Sequence, residues 1–124
     1  MSLLLDSNVL LWWLRADSRL APEMTDRLRR ETPLFVSVVT PWELWIKAES
    51  GKLVIPTDFD DRLSRNRLSL LSPTIDDARR AAKLPLLHRD PFDRIIIAQA
   101  LNRQLTIITG DRRFRDYGVD VILV

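Results

Sequence analysis

There is no cysteine in this chain, and the only histidine is His88. Disulfides, thiolate zinc sites and Cys/His nucleophile pairs are thereby excluded, so any metal must be held by oxygen. A cysteine-free chain also suits a reducing compartment, and the expected location is the cytoplasm. A strong charge of one sign is missing too, since the formal net charge is +2. Of the 19 basic residues, however, only Lys47, Lys52 and Lys83 are lysines. Arginine's planar fork suits bidentate phosphate contacts, so a nucleic-acid partner fits, although solvated helix faces account for single arginines equally well. No stretch approaches the ~20 apolar residues that span a bilayer. The apolar run near the start lacks a basic n-region and is interrupted by Asp6, so it does not read as a signal peptide and no membrane partner is expected. Repeats, low-complexity tracts and linkers are absent as well. Residues 1–124 read as a single domain, large enough to bury roughly two-thirds of its unfolded surface.

The chain alternates short apolar runs with amphipathic ones. Leu3-Leu4-Leu5 reads as a buried strand that ends on Asp6, after which Ser7 or Asn8 begins a helix over Val9 to Arg15. A second helix starts near Pro22 and ends by Thr32-Pro33. Leu34 to Val38 is the next strand. It feeds Thr40-Pro41-Trp42-Glu43, which has the form of a capping box with Thr40 as cap, Pro41 at the first helical position and Glu43 at the third. That helix ends near Gly51. Asp58 to Asn66 suggests a short helix, and Leu68 to Leu71 a small strand or a connector. Thr74-Ile75-Asp76-Asp77 is another capping box, opening a helix that ends by Leu84-Pro85. Val119 to Val124 suits an edge strand. Strands alternating with helices argue for an α/β fold, a parallel sheet covered on both faces.

Residues 88 to 114 concentrate the chemistry. Asp90 can cap a helix with Pro91 at its first position and Asp93 in its first turn, running to about Asn102. A strand from Leu105 to Thr109 then stops at Gly110-Asp111, and ligands of open α/β sheets bind beyond the carboxyl ends of parallel strands. If the strands are adjacent, Asp6, Glu43, Asp93 and Asp111 converge on one crevice. Such a cluster is costly unless hard cations neutralise it, and Mg²⁺ or Mn²⁺ held there can support phosphodiester hydrolysis without histidine or cysteine. Bland readings stand beside this one. Capping accounts for Glu43 and Asp93, a turn accounts for Asp111, and His88 either orients Asp90 or touches substrate. Asp6 is harder to explain away, because a carboxylate closing a buried strand requires a partner.

The order Leu-Leu-Leu-Asp-Ser-Asn-Val-Leu-Leu-Trp (3 to 12), Val-Val-Thr-Pro-Trp-Glu-Leu (38 to 44), His-Arg-Asp-Pro-Phe-Asp-Arg-Ile-Ile-Ile-Ala-Gln-Ala (88 to 100) and Leu-Thr-Ile-Ile-Thr-Gly-Asp (105 to 111) resembles the PIN-domain ribonucleases, and among them the VapC-type toxins of toxin–antitoxin pairs. The resemblance covers essentially the whole chain. It implies a PIN-like three-layer sandwich with a five-stranded parallel sheet, and a Mg²⁺- or Mn²⁺-dependent endoribonuclease. It further implies a homodimer and neutralisation by a cognate antitoxin. By position it puts the metal-binding acids on Asp6, Glu43, Asp93 and Asp111, with Asn8 and Thr109 as polar neighbours. Asp90 stays in a supporting, capping role. Ser7 stands where the family more often has threonine, which keeps the hydroxyl.

Two rivals remain. Phosphoryl chemistry on an aspartate also uses acids at strand ends, but Asn8 stands where such phosphatases need a second aspartate, and no lysine follows a late strand. A catalytically inactive PIN-like module that only binds RNA or protein keeps its place as the alternative. Trp12, Trp13, Trp42 and Trp45 lie on two helices that one sheet face cannot easily bury, so part of this set is expected to contact a second copy and part an antitoxin segment.

Overall fold

The computed structural model describes residues 2–31, 33–65, 67–87 and 90–124. Five strands form one parallel sheet in the order β3-β2-β1-β4-β5: β1 (Leu3–Leu5), β2 (Leu34–Ser37), β3 (Leu68–Leu71), β4 (Thr106–Thr109) and β5 (Val121–Leu123). The alternation of the pleat divides the core in two. Leu3, Leu5, Leu34, Val36 and Ile108 face one apolar cluster, while Leu4 and Ile107 face the other.

The first cluster is closed by α1 (Ser7–Arg15), α2 (Pro22–Arg30), α3 (Val39–Glu49) and α4 (Phe59–Arg65), through Leu10, Leu14, Leu28, Leu44 and Phe59. The second is closed by α6 (Pro91–Arg103) and by the 3-10 turn Arg112–Tyr117, through Ile96, Ile97, Phe114 and Tyr117. α5 (Ile75–Lys83) packs on α6. The three-layer expectation therefore holds, and the continuous apolar run of β1 is explained by burial on both faces. Leu3, Leu4 and Leu5 are fully buried, so trimming any of them to alanine should cost about 2–5 kcal/mol.

Several boundaries differ from the sequence reading. Asp6, not Ser7 or Asn8, caps α1, its side chain accepting the Val9 N–H at 2.9 Å. α2, Pro22–Arg30, ends within its expected limit. The expected strand over Leu34 to Val38 ends one residue early, because α3 begins at Val39 with Val38 as its cap. Val38 donates its N–H to the Leu71 carbonyl at 2.9 Å, and Ser37 Oγ accepts the Val39 N–H at 3.3 Å. A serine at the strand end thus starts the helix two residues before Thr40 could. Thr40 caps nothing, and its Oγ1 is buried with no hydrogen-bond partner among the described residues. Leu68 to Leu71 is a strand, not a connector, paired with β2 along its length.

Candidate active site

The sheet order places a switch point between β1 and β4, since the chain steps outward from β1 to β3 and then returns to the other side of β1. The register pairs Leu5 with Ile108, and Asp6 donates its backbone N–H to the Ile108 carbonyl at 3.2 Å. Asp6 and Thr109 therefore stand side by side where the two strands end. Thr109 Oγ1 donates a hydrogen bond to Asp6 Oδ2 and accepts the Asp111 N–H at 3.0 Å, so one fully buried hydroxyl links the two acids.

Glu43 arrives from the opposite side. Because α3 starts at Val39, Glu43 lies beyond the first turn and takes no part in capping, which overturns its proposed structural role. It is buried all the same. Lys47, one turn further along α3, meets its Oε2 at 3.3 Å, whereas Oε1 has no hydrogen-bond partner among the described residues. Such an oxygen is costly to leave unsatisfied. Burial pushes the Asp6 carboxyl above its ordinary value, against the hydrogen bonds from Thr109 and Val9, and the nearby charges of Glu43 and Asp111 add to the rise.

Asp93 sits in the first turn of α6, whose cap is Asp90 as expected, with Asp90 Oδ1 accepting from the Phe92 N–H at 2.8 Å. The edge-on contact of Trp42 with Phe92, centroids 5.1 Å apart, sets the start of this helix against the helix of Glu43. Asp93 meets the other acids only through its charge, which acts on Arg113. That guanidinium grips Asp111, Nη2 to Oδ2 at 2.8 Å and Nε to Oδ1 at 3.0 Å. Its pKa is raised chiefly by Asp111 and further by Asp93 and Asp90. Among the described residues no three acids stand spaced as a finished metal cage. Lys47 and Arg113 hold two of the carboxylates instead.

The donor set nevertheless fits a hard divalent cation. It consists of carboxylate oxygens of Asp6 and Asp111 at strand ends and of Glu43 on α3, one of the Glu43 oxygens being buried and orphaned among the described residues, and the charge of Asp6 is disfavoured there. Asn8 is exposed in the first turn of α1, two residues past Asp6. His88 lies outside the described residues. Two concavities lie away from the acids, one of about 600 Å³ between α5 and α6, the other of about 500 Å³ beside Trp12, Trp13, Arg29 and Arg67. A flexible polymer substrate needs no enclosing cavity, so the chemistry of the acids outweighs the shape of these grooves.

Sequence reasoning missed Lys47, Arg113, Ser37 and the buried Arg94. For the first two the signal was present as a cation four residues after one acid and two residues after another.

The family profile described as PIN domain matches residues 3–120. The chain is 31% identical over 121 residues to Ribonuclease VapC22 of Mycobacterium tuberculosis (strain ATCC 25618 / H37Rv), covering 94% of this chain and 92% of that protein. Its fold is similar to that of VapBC2 from Rickettsia felis, crystallised bound to a DNA fragment from their promoter, with a TM-score of 0.73 at 13% identity over 99% of this chain and 98% of the other. It is also similar to a toxin-antitoxin complex from Klebsiella pneumoniae, with a TM-score of 0.69 at 22% identity over 98% and 96% of the two chains.

Proposed function

This chain belongs to the PIN domain family, and from that premise we propose that it is a Mg²⁺- or Mn²⁺-dependent endoribonuclease of the cytoplasm, the toxin of a toxin–antitoxin pair. The relative named as a ribonuclease supports the reaction class. The observation that carries the reading is the burial of Asp6 beside Glu43 and Asp111, with one Glu43 oxygen lacking a hydrogen-bond partner among the described residues.

Asp6, Glu43, Asp93 and Asp111 are the residues that would hold the ion. Held there, a divalent cation would supply charge stabilisation at the phosphoryl oxygens and a water of lowered pKa. The protein's own part is positioning. The Thr109 hydroxyl and the Val9 N–H orient Asp6. Thr109 also orders the backbone of Asp111, and Asp90 holds the first turn that carries Asp93. Asn8 supplies an exposed amide at the rim of the site.

The proposed partners are RNA, a cognate antitoxin and a second copy of the chain. Trp42, Trp45 and Ile46 on the outer face of α3 remain exposed, which supports an apolar contact there. Trp12 and Trp13 are half-buried against the core, which narrows the candidate surface to α3.

Purified protein free of antitoxin should cut structured RNA in Mg²⁺ or Mn²⁺ and stop when EDTA is added. Binding of RNA without cleavage in either metal would favour the alternative, a PIN-like module that binds RNA or protein.

A further inference from the structure

Arg113 is the residue in the acid site whose geometry the proposed chemistry leaves unexplained. Its guanidinium occupies both oxygens of Asp111, Nη2 on Oδ2 at 2.8 Å and Nε on Oδ1 at 3.0 Å with a second contact to Oδ2 at 3.2 Å. A cation could not take this carboxylate with both oxygens while the fork remains. The fork is not what holds Asp111 in place. The Arg113 backbone N–H donates to Asp111 Oδ1 at 2.9 Å as the cap of the 3-10 turn, and Asp111 donates its own N–H to Thr109 Oγ1 at 3.0 Å. Both bonds survive if the guanidinium swings away.

Leaving is easy as well. The Arg113 side chain is 62% exposed against 27% for Asp111, and exposed ion pairs contribute little to stability. Asp111 is its bonded partner, and the charges of Asp93 and Asp90 add a smaller pull on the same guanidinium. Lys47 differs, because it pairs with Glu43 along a single helix face at i and i+4 and leaves Oε1 without a hydrogen-bond partner among the described residues.

Resting on the metal-site reading above, we propose that Arg113 is the displaceable counter-cation of the site: it neutralises Asp111 while the acids carry no divalent ion, and on loading it gives up that carboxylate and takes a phosphate of the RNA strand. The second half follows from the shape of the group. A guanidinium freed from a carboxylate presents the same parallel donors to phosphate oxygens, and it stays tethered two residues from the acid it has left. No bond is made or broken in this exchange, which replaces one ionic partner by another.

The test is Mn²⁺ binding by calorimetry, without RNA and at constant ionic strength, on the wild type, Arg113→Ala and Arg113→Lys. Thermal unfolding in EDTA shows that each variant folds. Removing the competitor should tighten Mn²⁺ binding in Arg113→Ala by about two- to fivefold, with Arg113→Lys in between because it keeps the charge and loses the fork. With RNA and saturating Mn²⁺, Arg113→Ala should raise KM more than it lowers kcat, and the salt dependence of KM should flatten by about 0.7 in log–log slope, as for one lost single-strand phosphate contact. Mn²⁺ affinity equal to or below wild type in Arg113→Ala would overturn the counter-cation role. An unchanged KM and salt slope would overturn the phosphate contact. A wild type that binds no Mn²⁺ would overturn the metal-site reading itself, and this proposal with it.

Discussion

Thr109 and Asp6 are 103 residues apart in sequence, and in the fold the hydroxyl of one donates to the carboxylate of the other. The contact exists because β1 and β4 run parallel in register, so the residues that follow Leu5 and Ile108 emerge together. Thr109 also accepts the Asp111 N–H, which makes it a joint between two candidate metal ligands. Thr109→Val keeps the shape and loses the hydroxyl. It should cost about 1–3 kcal/mol of stability, the range for leaving buried polar groups unpaired, and should weaken Mn²⁺ binding. Thr109→Ser should restore most of both. Thermal unfolding and calorimetry of the pair check this, and identical behaviour of the two variants would contradict it.

Asp6 itself should be a stability liability when no metal is bound. Burial raises its folded pKa above the ordinary 3.8, with Glu43 and Asp111 adding to the effect. A carboxyl raised in the folded state binds its proton more tightly there than in the unfolded chain, so stability falls as pH climbs from the unfolded value through the folded one. The penalty is thus present at neutral pH and absent in acid. Asp6→Asn should therefore raise the thermal midpoint in EDTA at pH 7, and the gain should vanish below about pH 4. A lower midpoint at pH 7 would mean that the hydrogen bonds to the carboxylate outweigh its burial.

Asp77 shows the opposite sign. The expected capping box is present, Asp77 donating its N–H to Thr74 Oγ1 at 3.1 Å and accepting the Thr74 N–H at 2.8 Å. The same carboxylate also receives Arg103 on both oxygens, at 3.0 and 2.9 Å, and Asn102 at 2.8 Å, which ties α5 to α6. Burial acts to raise its pKa, but these bonds prevail and bring it down from 3.8 to about 2. A depressed carboxyl stabilises the fold above its unfolded pKa, and the contribution is lost as pH falls from about 4 to 2. Asp77→Asn should cost about 2 kcal/mol at pH 7 and little at pH 2 in urea titrations.

Arg94 should be among the most costly surface-chain residues to replace, because it is not at the surface. It is buried in α6 and donates to the carbonyls of Pro85 at 2.8 Å, and Ala81 and Leu84 at 2.7 Å, closing the end of α5. Arg94→Met leaves those carbonyls without their donor and should lower stability by about 3 kcal/mol or more. A loss below about 1 kcal/mol would show that water replaces the guanidinium there.

The outer face of α3 should govern association rather than folding. Trp42 is 55% and Ile46 44% exposed, so Ile46→Ser, which leaves the Trp42–Phe92 contact in place, removes apolar surface that the monomer only partly buries. Sedimentation should show a weakened homodimer with the thermal midpoint nearly unchanged at low protein concentration. A dimer of unaltered strength would place the contact elsewhere, and hydrogen exchange in the presence of the antitoxin would then show whether α3 is protected by that partner.

Much of this was legible in the sequence because the strands are short, continuous and apolar, and because parallel strands deliver their carboxyl ends to one edge. Leu3-Leu4-Leu5 running into Asp6 already implied a doubly covered strand with an acid at its mouth. The Asp90-Pro91 start of α6 and the Thr74 box were equally readable, since capping is local chemistry. Thr40 failed for a non-local reason. Its competitor was Ser37 together with a Val38 N–H committed to the Leu71 carbonyl of β3, and no local pattern reports a bond to a strand 33 residues further on. Arg94, Arg103 and Arg113 read as ordinary solvated basic residues, and only the packing of α5 on α6 and the turn after β4 gave them specific acceptors.

Anomalous diffraction from crystals grown with Mn²⁺ tests directly whether the acids hold a metal. A peak is expected within about 2.0–2.3 Å of a carboxylate oxygen of Asp6 and of at least one of Glu43, Asp93 and Asp111, a range bracketing hard-cation coordination, with the Arg113 guanidinium turned away from Asp111. No peak at saturating Mn²⁺, or a peak that leaves Asp6 uncoordinated, would contradict the metal-site reading.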